Sequence, residues 1–186
     1  MEQSIFTIKE NIALNTNVFR MTLEGAAAKG HKPGQFVNLQ LDGCSLRRPI
    51  SVCDSTDTTL TIMYKVVGSG TEILSKMQTG EKADVLTHLG NGFDVSADCA
   101  APLLIGGGVG VPPLYMLAKK LISEGKKVSV ILGFNTEKEV FCEKDFAQLG
   151  ADVTVTTVDG SYGVKGFVTD VIREKALSFD YLYTCG

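Results

Sequence analysis

The feature that most constrains this chain is a change of hydrophobic rhythm near residue 100. Before that point, short stretches alternate apolar and polar residues and are separated by turn signals such as Lys32-Pro33-Gly34. Beyond it, apolar strand-like segments alternate with helix-like ones. The sequence therefore predicts an antiparallel β-barrel followed by a parallel-sheet α/β domain.

The first half contains six predicted strands, at 4–9, 18–23, 35–41, 49–54, 59–67 and 82–86, and one helix at 71–77. The second half contains predicted strands at 102–105, 127–134, 152–157 and 181–184, and helices at 112–123, 143–149 and 168–175. We expect the boundary within 96–101, which divides the chain into domains at 1–98 and 99–186.

Charge and hydropathy exclude several classes of protein. Lys and Arg number 18 against 21 Asp and Glu, and no basic stripe is concentrated enough to follow a phosphate backbone. The longest apolar run is far shorter than the roughly 20 residues that cross a bilayer, and the N-terminus lacks a signal layout. We therefore expect a cytoplasmic protein that binds neither nucleic acid nor membrane.

The cysteines and histidines provide no metal or hydrolytic signature. Five cysteines are widely spaced and include no C-x-x-C pair, which argues against a disulfide framework, a zinc site or an iron–sulfur site within this chain. We expect most of them to be small buried hydrophobic residues. His31 and His88 lack a neighbouring carboxylate or serine signature, so both are predicted to be ordinary surface or turn residues.

A first candidate ligand site lies at Arg47-Arg48-Pro49-Ile50-Ser51. The Arg48 guanidinium can bind a phosphate with two parallel hydrogen bonds, and Ser51 adds a hydroxyl from the same predicted strand. Residues 48 and 51 face opposite sides of an ideal strand, so we expect Pro49 to mark an edge or a bulge. The alternative is a salt-bridged surface arginine that precedes an ordinary strand.

A second candidate is Gly68-Ser69-Gly70-Thr71, at the start of the predicted helix 71–77. It offers an N-cap hydroxyl, free backbone N–H groups and the positive end of the helix dipole, which favour an anion. Glycine also lets a pyrophosphate approach the backbone closely. The alternative is a plain helix cap, and Tyr64 on the preceding strand either packs against a ring or fills the core.

The second half opens with Leu103-Leu104-Ile105, followed by Gly106-Gly107-Gly108-Val109-Gly110-Val111-Pro112-Pro113. A strand, a glycine turn and a helix with an early proline suit a dinucleotide pyrophosphate at a helix N-terminus. Gly106 and Gly108 match the first two glycines of the Rossmann fingerprint, but a valine takes the third and no acidic residue closes the second strand at Asn135. The lack of an arginine there favours NAD over NADP. The alternative is a tight turn without a ligand.

Two further motifs lie at predicted strand ends. Asp159-Gly160-Ser161-Tyr162-Gly163 follows a strand, at the edge where open α/β sheets bind ligands, and is either part of a nucleotide site or a simple Asp-Gly turn. Cys185 ends the last strand and is either a functional thiol or a buried strand cysteine.

Together these motifs resemble the ferredoxin–NADP reductase superfamily. The shared features are a barrel with R-P-I-S and G-x-G-T, then an α/β domain that starts L-I-G-G-G-x-G-x-P-P and ends on C-G. Residues 48–51, Leu89-Gly90-Asn91-Gly92-Phe93 and residues 159–166 resemble, more narrowly, the electron-transfer subunit of class 1B dihydroorotate dehydrogenase. The resemblance covers essentially the whole chain.

The resemblance implies an FAD-binding barrel and an NAD-binding α/β domain. The residues that would contact the flavin and its phosphates are Arg48, Pro49, Ile50, Ser51, Met63, Tyr64, Lys65, Gly70 and Thr71. Those that would receive NAD are Gly106, Gly107, Gly108, Gly110 and Asp159. Cys185 would lie near the nicotinamide–flavin contact, so Ser51 and Cys185 are the candidate catalytic residues. Electron transfer between the two cofactors is direct and requires no general acid.

The resemblance also implies a partner, the dihydroorotate dehydrogenase catalytic subunit, in a hetero-oligomer that serves pyrimidine biosynthesis. Two features depart from it. Thr87-His88 stands where the family usually has Gly-Pro, and the cysteine-rich segment that binds a 2Fe-2S cluster is missing after Gly186. We therefore expect a truncated or shortened relative that cannot ligate the cluster. The alternatives are a stand-alone flavin or quinone reductase, a hydrogenase or sulfide dehydrogenase subunit, and a nucleotide-sensing module without redox turnover.

Overall fold

The computed structural model describes all 186 residues, and its first half is a closed six-stranded antiparallel barrel in the order β1-β2-β5-β4-β3-β6. The predicted barrel is therefore confirmed. Its strands are β1 (Glu2–Ala13), β2 (Val18–Glu24), β3 (Phe36–Gln40), β4 (Arg48–Ser55), β5 (Thr59–Lys65) and β6 (Lys82–Leu89). One helix, α1 (Ser69–Lys76), joins β5 to β6.

The barrel core follows from the two-residue period of its strands. Along β5, Leu60, Ile62 and Tyr64 are buried inside, because successive side chains of a strand point to opposite faces. Tyr64 stacks on Phe19 at 5.8 Å between ring centroids. Its hydroxyl donates a hydrogen bond to Asn11 Oδ1 at 2.9 Å, so the polar end of a buried aromatic residue is satisfied.

Strand β4 has a free edge at its beginning. Residues 48–51 pair with β3, whereas pairing with β5 starts at Val52. Pro49, which has no N–H to donate, therefore lies in a segment that is paired on one side only, as predicted for an edge position. The irregularity of the pleat lies further on, between Val52 and Asp54, where the register with β5 shifts by one residue.

The second half is a five-stranded parallel sheet in the order β10-β9-β8-β7-β11. The strands are β7 (Pro102–Gly107), β8 (Ser129–Phe134), β9 (Asp152–Thr157), β10 (Val164–Lys165) and β11 (Tyr181–Cys185); the helices are α2 (Pro112–Ser123), α3 (Glu143–Leu149) and α4 (Val168–Glu174). The predicted α/β architecture is confirmed. Only the two-residue strand β10 was not anticipated, because it is too short to carry a periodic pattern.

The chain divides into compact units at residues 1–93 and 94–186, a few residues before the predicted boundary. Residues 94–101 belong to the second unit because their backbone is tied to it. The Tyr183 hydroxyl donates to the Asp94 carbonyl at 2.8 Å, and Asp180 accepts hydrogen bonds from the backbone N–H groups of Ala100 and Ala101. No helix in either unit has the length and apolar character needed to cross a membrane.

Candidate functional site

The barrel unit brings a guanidinium group against a glycine at a helix start. Arg48 begins β4, and its Nη1 donates a hydrogen bond to the Leu46 carbonyl at 2.6 Å. The rest of its guanidinium group lies over Gly70: a Cβ at that position would come within 2.6 Å of Cζ and 2.7 Å of Nη2. Glycine at position 70 therefore makes room for the arginine.

Helix α1 supplies backbone donors beside Arg48. Its N-cap is Gly68, so the predicted hydroxyl cap is wrong. The Thr71 hydroxyl instead accepts hydrogen bonds from the N–H groups of Val67 and Gly68 and donates to the Gly68 carbonyl. This folds the turn so that the N–H groups of Gly70 and Thr71 have no acceptor within the chain. We call Arg48, Gly70 and Thr71 the barrel anion site.

The electrostatics of the barrel anion site favour a phosphate. Two backbone N–H groups, the positive end of the α1 dipole and one guanidinium converge there. The carboxylate in the first turn of the helix, Glu72, is drawn to Lys76, whose ammonium lies 2.7 Å away and lowers the Glu72 pKa. The site fits the phosphates of a flavin nucleotide. Because position 70 has no side chain, the Arg48 guanidinium can lie beside the backbone N–H groups at the start of α1.

Arg47 has a different task from Arg48. Its Nη2 pairs with both carboxylate oxygens of Asp84, at 3.1 and 3.2 Å, and its Nη1 donates to the carbonyls of Asn38 and Asp84. These contacts join β3 to β6. The sequence left a salt-bridged arginine as the alternative to a phosphate-binding one. Arg47 is that salt-bridged arginine, and its neighbour Arg48 remains the candidate for binding a phosphate.

The flavin candidates on β4 lie along its free edge. Pro49 is exposed, and Ile50 and Ser51 are half-buried. The Ser51 hydroxyl makes no hydrogen bond within the chain, and its backbone pairs with Phe36 of β3. Ser51 can therefore donate a hydrogen bond to a ligand without losing one to the protein.

The candidates on β5 separate by face. Tyr64 points into the barrel, and burial raises the pKa of its hydroxyl to about 12 against a weaker opposing effect of the Asn11 hydrogen bond. Of the two roles left open for Tyr64, the structure supports filling the core. Met63 and Lys65 alternate with it and face outward, and Met63 is only 7% exposed.

The second unit carries a glycine turn at the carboxyl edge of its sheet. Gly106 and Gly107 end β7, residues 108–110 form one turn of 3-10 helix, and α2 begins at Pro112 as predicted. A Cβ at Gly107 or Gly108 would meet no atom within 4 Å, and Gly108 has a φ of +50°. We call residues 106–110 the sheet glycine turn. Its open backbone fits the close approach of a dinucleotide.

Cys185 and Gly186 pack directly against the sheet glycine turn. Cys185 is in register with Gly106 across the β7–β11 pair. A Cβ at Gly110 would overlap the Cys185 carbonyl group and lie 2.6 Å from Gly186 Cα. Partial burial raises the pKa of the Cys185 thiol, so it stays protonated near neutral pH.

Asp159 also lies at this edge, and its turn is well ordered by its own hydrogen bonds. Asp159 Oδ1 accepts from the Ser161 hydroxyl at 2.6 Å and from the Ser161 N–H at 3.0 Å. These bonds lower the Asp159 pKa. Gly160 follows with a φ of +75°, which is the left-handed conformation of a turn glycine, so the predicted Asp-Gly turn is present. The Asp159 N–H donates to the Asn135 carbonyl, which joins the ends of β9 and β8.

One acidic residue at this edge, Glu139, was not predicted from the sequence. Glu139 Oε2 accepts hydrogen bonds from the Asn135 side-chain amide at 2.9 Å and from the Asn135 N–H at 3.2 Å. The intervening 3-10 turn, Glu137–Glu139, brings the carboxylate back to the end of β8. The sequence did contain a signal for this contact: an asparagine at the end of a strand, with a glutamate four residues later.

His31 departs from the expected surface position, whereas His88 is partly exposed. His31 is buried, and its ring stacks on that of His88 with centroids 4.1 Å apart. His31 Nδ1 donates to the Ala28 carbonyl and its Nε2 accepts from the His88 N–H. The pair joins a turn of the barrel to the end of β6, so His31 is a packing residue rather than an ordinary surface one.

The expectation that most of the cysteines are buried is confirmed. Cys53, Cys99 and Cys142 are buried, Cys44 and Cys185 are half-buried, and all five are free thiols. No group of three or more His, Cys, Asp or Glu side chains in the 186 residues could hold a metal ion.

Comparison with known sequences gives consistent relatives. Residues 104–186 match the family described as the oxidoreductase NAD-binding domain. The dihydroorotate dehydrogenase B (NAD(+)) electron transfer subunit of Geobacillus sp. (strain WCH70) is 44% identical over 194 aligned residues, which cover all of this chain and 75% of that protein. The protein of the same name from Bacillus mycoides (strain KBAB4) is 46% identical over 91% of this chain and 68% of its own length.

Solved structures share the fold across both units. A structure of NADH-dependent reduced ferredoxin-NADP oxidoreductase, described in connection with flavin-based electron bifurcation, superposes with a TM-score of 0.88 at 30% identity, over 98% of this chain and 68% of that one. Flavohemoglobin from Malassezia yamatoensis, with bound FAD and heme, superposes with a TM-score of 0.81 at 20% identity, over 99% of this chain and 52% of that one. The second likeness concerns the fold alone.

Proposed function

Because the chain belongs to the family of dihydroorotate dehydrogenase B electron transfer subunits, we propose that it binds FAD and NAD(H) and passes electrons between NADH and a dihydroorotate dehydrogenase catalytic subunit. This places it in pyrimidine biosynthesis. The observation that carries the proposal is the barrel anion site, where the Arg48 guanidinium lies over Gly70 beside two backbone N–H groups without acceptors.

On the barrel unit, Arg48 and the N–H groups of Gly70 and Thr71 would hold the flavin phosphates. Thr71 acts through its hydroxyl, which keeps the turn folded. The free edge at Pro49, Ile50 and Ser51 would accept the ring, with Ser51 donating a hydrogen bond, while Met63 and Lys65 border it from β5. FAD, when bound, supplies a ring that takes two electrons from NADH and releases them to an acceptor.

On the second unit, Gly107 and Gly108 would admit the NAD pyrophosphate, and Gly106 lets α2 pack close to β7. A Cβ at Gly106 would lie 3.0 Å from Leu114 and Val111. Gly110 allows Cys185 to reach the turn, where its protonated thiol offers a neutral contact. The residues orient and exclude water, and none has to transfer a proton.

Glu139 supports NADH as the nucleotide in preference to NADPH. Its carboxylate lies at the end of β8, where an acidic group in dinucleotide-binding folds receives a ribose hydroxyl and repels a 2′-phosphate. Asp159 adds a second carboxylate at the neighbouring strand end. The turn that directly follows β8, residues 135–139, contains no arginine that could form two parallel hydrogen bonds with a phosphate.

The 2Fe-2S cluster implied by the resemblance does not fit the residues present, since no group of side chains here could hold a metal. We also propose a hetero-oligomer with the catalytic subunit and a cytoplasmic location. Co-purification of this chain with a tagged catalytic subunit would test the partner.

The flavin assignment is tested by reconstituting the purified chain with FAD and adding NADH without oxygen. We expect loss of the flavin absorbance in the visible, and at saturating FAD a smaller response to NADPH. Bound FAD that NADH leaves unbleached would favour the nucleotide-sensing alternative. A chain that takes up no FAD would refute the proposal.

Neighbouring arginines provide a matched pair of variants. Hydrogen bonds to charged groups contribute about 1.5–3 kcal/mol, so Arg48→Gln should weaken FAD binding about ten- to a hundredfold and leave the unfolding midpoint almost unchanged. Arg47→Gln should do the reverse, because its contacts join β3 to β6. Equal losses of FAD affinity in the two variants would contradict the assignment of Arg48.

A further inference from the structure

The loop that follows β6 contains Asn91-Gly92, the only Asn-Gly pair among the six asparagines of the sequence. In such a pair the backbone nitrogen of the glycine can attack the side-chain amide of the asparagine, because glycine has no Cβ to hinder the approach. We call residues 90–93 the Asn-Gly loop. Whether the reaction occurs in the folded protein depends on how free the two reacting groups are.

The Asn-Gly loop is held at both of its ends. The Gly90 carbonyl accepts a hydrogen bond from the Gln35 side-chain amide at 2.9 Å, and the Phe93 N–H donates to the Pro33 carbonyl at 2.8 Å. Gln35 and Pro33 are buried, so both attachments are made to the body of the barrel unit. The two residues between these attachments are the part of the loop that is not tied down.

Both reacting groups in the middle of the loop are free. Asn91 is exposed, and its side-chain amide makes no hydrogen bond within the chain. The N–H of Gly92 likewise donates to no acceptor in the chain. Asn135 provides a contrast, because it is also exposed but its amide donates to Glu139 Oε2, and a threonine follows it.

The fold itself requires the glycine that makes Asn91 reactive. Gly92 has a φ of +80°, in the left-handed region that favours glycine. A Cβ at this position would also lie 2.6 Å from the Pro33 carbonyl oxygen. A side chain that would slow the attack is therefore excluded at position 92, and the reactive pair is built into the loop.

We propose that Asn91 is a site of spontaneous deamidation in the folded protein. The Gly92 nitrogen gives up its proton and attacks Asn91 Cγ. A C–N bond forms, the bond from Cγ to the side-chain nitrogen breaks, and ammonia leaves with the proton. Water then opens the cyclic imide at either of its carbonyls, which gives aspartate or isoaspartate. One water is consumed and one ammonia released, without an oxidant, a reductant or a bound nucleotide.

The two products have different effects on the loop. Aspartate adds a negative charge to its exposed middle and leaves the path of the main chain unchanged. Isoaspartate adds the same charge and also routes the main chain through the former side chain, which inserts one methylene between the two attached ends. Because Gln35 and Pro33 fix those ends, we expect the longer chain to weaken the hydrogen bond from Phe93 to Pro33.

Incubation of the protein at mildly alkaline pH, followed by proteolysis and mass spectrometry, tests the proposal. We expect Asn91 to exchange its amino group for a hydroxyl at least about tenfold faster than Asn135, because the β-branched Thr136 hinders the attack there. The matched variant is Asn91→Gln, which keeps an exposed amide but needs a larger ring to form. Its peptide should stay unmodified. Equal rates at Asn91 and Asn135 would overturn the proposal.

A synthetic peptide with the sequence of residues 86–96 measures the same reaction without the fold. Because exposed loops open at little cost in free energy, the folded chain should react at no less than about a tenth of the rate of the peptide. If Asn91 stays intact in the chain while the peptide reacts, the fold protects this asparagine and the proposal is wrong.

Hydrogen exchange of the aged protein tests the effect on the loop. The Phe93 N–H should lose protection in the isoaspartate form, whereas the Val52 N–H, which donates to the Gln35 carbonyl, should keep it. Freshly prepared Asn91→Asp carries the charge without the added methylene, so its Phe93 N–H should stay protected. Loss of that protection in Asn91→Asp, or its retention in the isoaspartate form, would refute the effect assigned to the longer chain.

Discussion

In both units a glycine-containing turn precedes or begins a helix. The glycines differ in what lies against them, which is a side chain in one unit and the backbone in the other. Gly70 of the barrel unit faces the far end of a flexible arginine side chain. Gly110 of the second unit faces the backbone of Cys185 and Gly186, whereas Gly107 faces open space. Glycine therefore makes room for a ligand-binding group in one turn, and for the protein's own last strand in the other.

The largest expected effect is that of Gly110→Ala. The new methyl group would overlap the Cys185 carbonyl, and neither backbone can move without disturbing the β7–β11 pair. Overpacking of this kind costs about 1–3 kcal/mol. We expect a clear fall in the unfolding midpoint measured by circular dichroism.

Gly107→Ala is the control for that variant. It lies in the same turn with a φ of −112° and no atom within 4 Å of the new Cβ, so its stability should match wild type. If Gly110→Ala and Gly107→Ala have the same unfolding midpoint, the close packing of Cys185 does not explain why position 110 requires glycine.

A smaller effect, on binding rather than stability, is expected for Gly70→Ala. The new methyl group would displace the Arg48 guanidinium, which can swing aside without disturbing the fold. Alanine also favours a helix by up to about 1 kcal/mol over glycine. FAD affinity in equilibrium dialysis should therefore fall about tenfold, while the unfolding midpoint holds or rises.

A double variant sharpens that prediction. If Gly70→Ala acts by moving Arg48, then adding it to Arg48→Gln should cause little further loss, because both changes remove the same interaction. Additive losses would mean that Gly70 contributes to flavin binding independently of Arg48.

The features that depend on local sequence patterns could be predicted from the sequence. The contacts that form only when a turn brings separated residues together could not. Alternating strands, the early proline of α2 and the free edge at Pro49 follow from periodicity and from the missing N–H of proline. The N-cap hydroxyl predicted for the turn before α1 is wrong, because the Thr71 hydroxyl accepts hydrogen bonds from the N–H groups of Val67 and Gly68 and the N-cap is Gly68 itself. Glu139 reaches Asn135 only through the turn between them.

The histidine pair is the clearest case of a contact that no local pattern encodes. His31 and His88 are 57 residues apart, and their stacking depends on how a turn and the end of β6 meet in the closed barrel. The pair also distinguishes the two units, because residues 94–186 contain no histidine.

The smallest expected effect follows from that difference and concerns mild acid. Burial lowers the His31 pKa below its ordinary value of 6.5, against an opposing hydrogen bond to Ala28 and with a further lowering by His88. The unfolded chain therefore binds the proton more readily, so the stability that neutral His31 contributes is complete above pH 6.5 and is lost as the pH falls through the folded pKa. Amide hydrogen exchange, corrected for intrinsic rates and resolved by unit, should show the barrel unit losing protection below pH 6.5 before the second unit does. His31→Asn should remove this difference, and a wild-type protein whose two units lose protection in parallel would show that the stacked pair does not govern the acid response.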